Sequence, residues 1–257
     1  MPRDREPLFQ TEAALCEAFI AWVKGFGWTA YAETGGWDIV LVKPTGVQIG
    51  VQAKLRFNLR VLTQSMPCWV TQDRVGPDYR AVLVGDGHPG ADVICEQLGL
   101  VLFYPKREYR GSPVASFEPR ERELTGDRHG FTRYGNVWFD WNPERRIKLP
   151  EYVPDVAAGA SGPVQLTDWK VGALRLTALL DLRGYITRAD FRDHHINPTR
   201  WTVLGNHPRA WVVPGQTRGQ WVRGKGLSFD QQHPAVYQQI RAEIAKRLTQ
   251  GQEAKTP

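Results

Sequence analysis

Residues 35–57 read GGWDIVLVKPTGVQIGVQAKLRF, and the rest of the chain is best read outward from this stretch. From Trp37 to Val42 and from Val47 to Lys54, apolar and β-branched residues recur with a period of two, as half-buried strands require. Lys43-Pro44-Thr45-Gly46 lies between them and supplies the Pro and Gly of a chain reversal. The pattern predicts a two-stranded hairpin. Side chains two apart on a strand share a face, so Asp38 aligns with Val40 and Val42, and Gln52 aligns with Lys54. An acid, an amide and an amine can therefore converge.

Upstream, Leu15, Phe19, Trp22 and Val23 recur at helical spacing and stop near Gly25 and Gly27, with Thr11 placed as N-cap. Glu12 falls in the first turn, where the helix dipole favours a carboxylate, and from there it can also be lent to the hairpin. Glu17 points elsewhere on this helix, and Glu17 and Glu33 are the substitutes if Glu12 is not the acid. Trp28 to Glu33 reads as a strand. Downstream, Leu55 to Leu62 is an amphipathic helix candidate carrying Arg56 and Arg60. Arg80 to Val84 reads as a buried strand, Ala91 to Leu98 as a short helix, and Leu100 to Tyr104 as a strand stopped by Pro105. The order α-β-β-β-α-β-α-β over residues 1–105 implies an α/β fold, a mixed sheet flanked by helices.

Asp38 on one strand, Gln52-Ala53-Lys54 on the next and this order of elements together resemble the PD-(D/E)XK nuclease superfamily. Gln52 stands where that family usually has Glu or Asp, and Gly36-Trp37 replaces the Pro of the motif. Gln-x-Lys versions occur in active members, including the endonuclease subunit of heteromeric cut-and-paste transposases. The resemblance implies a restriction-endonuclease-like core and a DNA-cleaving activity. It also implies Mg²⁺ (or Mn²⁺) held by Glu12, Asp38, the Gln52 side-chain carbonyl and the Ala53 backbone carbonyl. Phosphodiester hydrolysis needs a cation to polarise the phosphate and acidify a water, and Mg²⁺ takes a few hard oxygen ligands. Lys54 would orient the water or stabilise developing charge. An amide in place of a carboxylate keeps an oxygen ligand but removes one negative charge, so weaker metal binding is expected than in a Glu-x-Lys enzyme. Taken alone, Gln52 and Lys54 also fit the solvated face of an amphipathic hairpin.

Residues 106–162 read as an extension and linker. Charge and aromatics alternate there, short strands are expected around 131–134 and 137–141, and the Pro150–Pro154 and 157–162 runs mark a boundary near residue 160. Residues 163–250 read as a second domain. A helix capped by Thr167-Asp168 runs to Gly184, a short helix covers 188–194, and a third opens with Asn197 as N-cap and Pro198 at the first helical position. Strands at 210–213 and 220–222 then flank a Gly- and Arg-bearing turn, and a final helix spans 234–248. Three helices followed by a basic hairpin resemble a winged helix, and residues 251–257 are expected to be a disordered tail.

The net charge of +6 is concentrated: residues 165–225 hold ten Lys/Arg against four Asp/Glu, a surplus equal to that of the whole chain. Such a surface suits a polyanion. DNA is the expected partner, with Arg188, Arg192, Thr199 and Arg200 on or beside the second and third helices and Arg218 and Arg223 at the hairpin. Arg56, Arg60, Gln64 and Gln72 lie nearer the first motif, while Trp201, Trp211 and Trp221 read as core. The three cysteines, Cys16, Cys68 and Cys95, are widely spaced in apolar surroundings and read as reduced core thiols. The N-terminal residues lack the apolar core of a signal peptide, and no stretch is apolar enough to cross a bilayer, so a soluble, cytoplasmic, nucleoid-associated protein without a membrane is expected. Two function classes follow: a metal-dependent DNA endonuclease, with a homodimer or a partner subunit completing a double-strand break, or a non-catalytic DNA-binding or regulatory protein on a decayed nuclease fold.

Overall fold

The reversal at Lys43–Gly46 is made by two backbone bonds, Gly46 N–H to Lys43 O (2.8 Å) and Lys43 N–H to Val47 O (3.0 Å), with Gly46 at φ 85, a value costly for a residue with a Cβ. In the computed structural model, residues 7–66, 75–106, 116–118, 141–156, 158 and 165–253 are described. The chain divides into two compact units, Met1–Leu149 with Val156–Gln165, and Pro150–Asp155 with Leu166–Pro257.

The first unit is α/β. Helix α1 (Glu12–Lys24) starts as expected, with Thr11 Oγ1 accepting the Ala14 N–H at 3.1 Å. Strands β1 (Thr29–Thr34), β2 (Trp37–Val42) and β3 (Gln48–Lys54) form an antiparallel meander. Its first turn is Gly35-Gly36, at φ 60 and 83, as a primed two-residue hairpin loop requires. After β3 come α2 (Leu59–Ser65), the two-residue β4 (Val75–Gly76), β5 (Tyr79–Val84), α3 (Ala91–Gln97) and β6 (Val101–Pro105). Apart from β4, this is the predicted order. β3, β5 and β6 are parallel, giving a mixed sheet of order β1-β2-β3-β5-β6 that the two residues of β7 (Phe117–Glu118) extend at the edge, while β8 (Arg145–Arg146) pairs in parallel with β4.

Strand alternation divides the core between the two faces. Ile39, Leu41, Ile49, Val51 and Ala53 pack in one cluster with Leu15, Cys16 and Phe19 of α1. Val82, Val84 and Leu102 pack with Val61 and Leu62 of α2 and Ala91 and Cys95 of α3. Cys16 and Cys95 are buried free thiols, as expected; Cys68 and Gln72 lie outside the described residues. At the lower edge the Gln48 side chain pairs like a strand residue, donating to Ile147 O (2.9 Å) and accepting the Ile147 N–H (3.0 Å).

Three expectations are corrected. The helix expected from Leu55 starts at Leu59, because Asn58 caps it by accepting the Val61 N–H at 3.0 Å, so Arg56 lies in the preceding loop. The bracket Pro150–Pro154 is not a loose linker: Tyr152 is buried and donates to Glu243 Oε2 (2.7 Å), and Arg175 pairs with Glu151 (2.5 Å), all within the second unit. The last helix continues to Glu253, past the start of the expected tail. The strands expected at 131–134 and 137–141 lie outside the described residues, except for Trp141.

In the second unit, α4 (Asp168–Arg183) is capped by Thr167 and ends at Gly184, φ 86. It buries Val171, Ala173, Leu174, Leu176 and Ala178 against α7 (Pro234–Glu253), whose Val236, Tyr237, Ile240 and Ile244 share the cluster. Between them lie β9 (Ile186–Thr187), α5 (Arg188–Asp193), α6 (Thr199–Thr202), β10 (Val212–Pro214) and β11 (Gln220–Arg223), the strands forming a sheet of order β10-β11-β9. The third helix has only four residues (Thr199–Thr202) and starts one residue later than expected, with Pro198 rather than Asn197 at the N-cap position and no side-chain cap; Asn197 Oδ1 accepts the Thr199 N–H at 2.9 Å. Trp201 is buried, and Trp211 and Trp221 pack against the same core.

Gly50 lies inside β3, where an added Cβ would meet the Trp37 ring at 2.5 Å. Gly50→Ala is therefore expected to lower stability by about 1–3 kcal/mol, the usual cost of overpacking, read as a lower urea midpoint; an unchanged midpoint would show that the ring moves freely.

Candidate active site

Backbone pairing between β2 and β3 ends at Ile39↔Val51. One step further the Asp38 side chain, rather than a backbone carbonyl, takes over: its Oδ2 accepts the Ala53 N–H at 2.7 Å. β3 meanwhile continues its parallel pairing with β5 through Lys54↔Val84. The edge of β3 that faces β2 is thereby freed from the ladder just where the polar residues lie. A strand residue directs its N–H and C=O towards the same edge, so the Ala53 carbonyl faces the gap that holds Asp38.

The remaining groups arrive from α1 and β3. Lys54 Nζ donates to Glu12 Oε2 at 2.7 Å, both side chains being partly exposed, so the first turn of α1 reaches the end of β3. Gln52 is 4% exposed and donates through Nε2 to Gly36 O at 2.8 Å, tying β3 to the Gly35-Gly36 turn. That bond orients the amide by one of its two N–H donors and leaves Oε1 without a hydrogen-bond partner among the described residues. Glu12, Asp38, Gln52, Ala53 and Lys54, picked out from sequence spacing, are thus brought together. Glu17 is exposed on α1. Glu33 has φ 48, an uncommon conformation for a residue with a side chain, and its charge is felt at Cys16.

Burial pushes the Asp38 carboxyl above the ordinary carboxylate range; the Ala53 N–H and the Lys54 ammonium oppose this shift, and Glu12 adds to it. Cys16, one turn after Glu12, is pushed up too, first by burial and then by the Asp38, Glu12 and Glu33 carboxylates, so its thiol stays protonated and inert. A buried carboxylate held above its normal pKa is a site that a cation would relieve. Among the described residues no three His, Cys, Asp or Glu groups converge; the oxygen set is two carboxylates, an amide carbonyl and a backbone carbonyl. These are hard donors, suited to Mg²⁺ or Mn²⁺ rather than to zinc.

The arginines fall into two groups. Arg56, Arg60, Arg188, Arg192, Arg200 and Arg218 are exposed, as is Thr199. Arg223 is otherwise engaged: it donates to Asp181 Oδ1 (2.7 Å), Asp230 Oδ1 (2.9 Å) and Leu227 O (3.2 Å). Arg223 is exposed as well, and its guanidinium is held by two carboxylates of the second unit. Sequence spacing also missed the loop Gly85–His88 at the end of β5, whose only signal was its position after a buried strand of a parallel sheet.

The Asp38 shift has a pH signature in metal-free buffer. With the folded pKa raised, the contribution of Asp38 to stability is fully present below its unfolded-state pKa and is lost as pH rises through the folded one. Asp38→Asn keeps an oxygen for the Ala53 N–H but carries no charge. Its urea midpoint is expected to exceed that of the wild-type protein at neutral pH, with the difference closing on acidification; parallel curves would contradict the assignment. No family model, curated protein or solved structure matches this chain.

Proposed function

We propose that this protein is a divalent-metal-dependent DNA endonuclease whose first unit cuts and whose second unit holds the DNA. The observation that carries the reading is the gathering of Glu12, Asp38, Gln52 and Lys54 from α1, β2 and β3 at the point where β2 and β3 stop pairing. Glu12, Asp38, Gln52 Oε1 and the Ala53 carbonyl would hold Mg²⁺ or Mn²⁺, which when bound polarises a phosphate and acidifies a water. The Ala53 N–H fixes the Asp38 carboxylate in place before any substrate arrives. Lys54 supplies a positive charge beside that oxygen set, where it orients the attacking water or stabilises charge on the phosphate. The element order and site resemble the restriction-endonuclease-like core, and the helices and hairpin of the second unit resemble a winged helix. A Gln-containing site followed by such a domain is similar to the transposase endonuclease subunit, so an end-cleaving role in transposition is part of this reading. One site cuts one strand, and a second copy or a partner subunit would make the other cut.

A second reading, a non-catalytic DNA-binding protein, is favoured by the Glu12–Lys54 ion pair, which satisfies both groups without a metal. Plasmid cleavage separates the two. Asp38→Ala and Lys54→Ala are expected to lower Mg²⁺-dependent nicking by about 10²–10³-fold while DNA binding persists; a wild-type protein that binds but never cuts would support the second reading.

The second unit is expected to contact phosphates through Arg188, Arg192, Arg200 and Arg218. Each change to Ala should weaken binding and reduce the slope of log affinity against log salt by about one. Arg223→Ala should also lower the stability of the second unit, since it removes the cation shared by Asp181 and Asp230. Arginine variants that leave the salt slope unaltered would remove DNA from this surface.

A further inference from the structure

Next to the Glu12–Lys54 pair, within the first unit, is a cavity of about 670 Å³ lined by Phe9, Leu55, Arg56, Phe57, Asp86 and His88 among others. It lies at the carboxyl ends of the parallel strands β3 and β5, where ligands of open α/β sheets bind. Leu55 to Phe57 follow directly on Lys54, and Gly85 to His88 follow on β5. The two exits are stitched together by the Gly85 N–H, which lies 3.2 Å from both Lys54 O and Leu55 O. An added Cβ at Gly85 would come within 3.0 Å of Leu55 O, so the close approach needs glycine. The cavity therefore begins one residue after Lys54.

Its lining has a definite chemistry. The Phe57 and His88 rings are 5.7 Å apart and inclined by 31°, which offers aromatic surface on which a planar group can stack. His88 Nδ1 lies 2.9 Å from Pro89 O, so in the neutral ring Nδ1 carries the hydrogen and Nε2 is left as an acceptor. Asp86 accepts the Gly87 N–H at 3.1 Å and has acceptor capacity left for an amino group. Its charge would repel a phosphate placed against it. Arg56 is exposed and makes no ion pair among the described residues. Aromatic surface, acceptors and a cation at one edge suit a nucleobase with its flanking phosphate. The volume falls in the range of about 300–1,000 Å³ typical of clefts that hold one small ligand, which is room for one nucleotide.

We propose that this cavity takes one unpaired nucleotide of the substrate strand beside the bond to be cut, its base on the Phe57–His88 rings and its phosphate at Arg56. The preferred substrate is then DNA with an unpaired or extruded nucleotide at the cleavage position, because a base already out of the stack enters without the cost of unpairing. The proposal rests on the endonuclease reading for the cut, but capture of the base is measurable without it.

The test uses the full-length Lys54→Ala protein in EDTA with three fluorescently labelled DNAs: a plain duplex, one with a single-nucleotide bulge, and one with an abasic site in that bulge. The abasic DNA keeps the distortion and the phosphate and removes only the base. Anisotropy should show the bulged DNA bound about tenfold or more tightly than the other two, with the preference erased by His88→Ala, whose side chain is exposed, and by Phe57→Ala. Equal affinity for the bulged and abasic DNAs, or a preference that survives His88→Ala, would overturn the proposal. Wild-type cleavage with Mg²⁺ is followed in parallel. Base preference without cleavage would refute the endonuclease reading alone, and cleavage without base preference would refute the cavity assignment alone.

Discussion

The first unit depends on one hydrogen bond at the place where two strands part. As long as β2 and β3 pair through their backbones, the residues between them are committed to the ladder, and the edge of β3 has nothing to offer a ligand. At Asp38 the ladder gives way to a side chain, whose carboxylate takes the Ala53 N–H. An unpaired backbone N–H in a buried strand is costly, so the acid has a structural role at this position. Its own burial raises its pKa, and the result is a carboxylate held in position at an energetic disadvantage, which a cation would remove. The Gln52 amide works to the same end, its N–H₂ tied to Gly36 O and its oxygen left over. A carboxylate at that position could not donate to Gly36, which gives a structural reason for an amide there.

The second unit uses its positive charge in two ways. Arg175, Arg183 and Arg223 are paired with Glu151, Asp190, and the Asp181 and Asp230 pair, respectively. Asp190 also accepts the Thr187 N–H and hydroxyl at the start of α5, so one acid both caps a helix and anchors an arginine. The Arg183–Asp190 and Arg223–Asp181 pairs hold α5 and β11 to the long helix α4. Arg188, Arg192, Arg200 and Arg218 are exposed, Arg192 lying 3.5 Å from Asp193, and belong to the part of the basic surplus that can meet a polyanion. A count of charges cannot separate the two groups, because a guanidinium facing Asp181 and one facing solvent look alike in sequence.

Much of the architecture was readable from local pattern. Period-two and helical spacing located α1, β1 to β3, β5, β6 and α4 and their order, since each element buries one face and the periodicity records which. Thr11, Thr167 and Gly184 marked helix ends because capping is a property of a few adjacent residues. The start of α2 was misread by four residues: Leu55, Leu59 and Leu62 carry a helical spacing, but Asn58 capped the helix in their midst. Even the meeting of Asp38 with Gln52 and Lys54 was legible, because a hairpin of known register fixes which residues face one another.

Other features had no local signature. The Glu12–Lys54 pair needs α1 packed on the sheet through Leu15, Cys16 and Phe19, a contact between residues 42 positions apart. The cavity joins residues before α1 to two strand exits that are neighbours only because β3 and β5 run parallel. The double pairing of Arg223 depends on Asp181 and Asp230 being brought to one point. The sequence by itself determined the elements, their caps and the register of one hairpin, all set by interactions within a few residues. The tertiary structure alone decided which polar groups lost their solvent and which found partners, because burial is a property of the packed chain and not of any one segment.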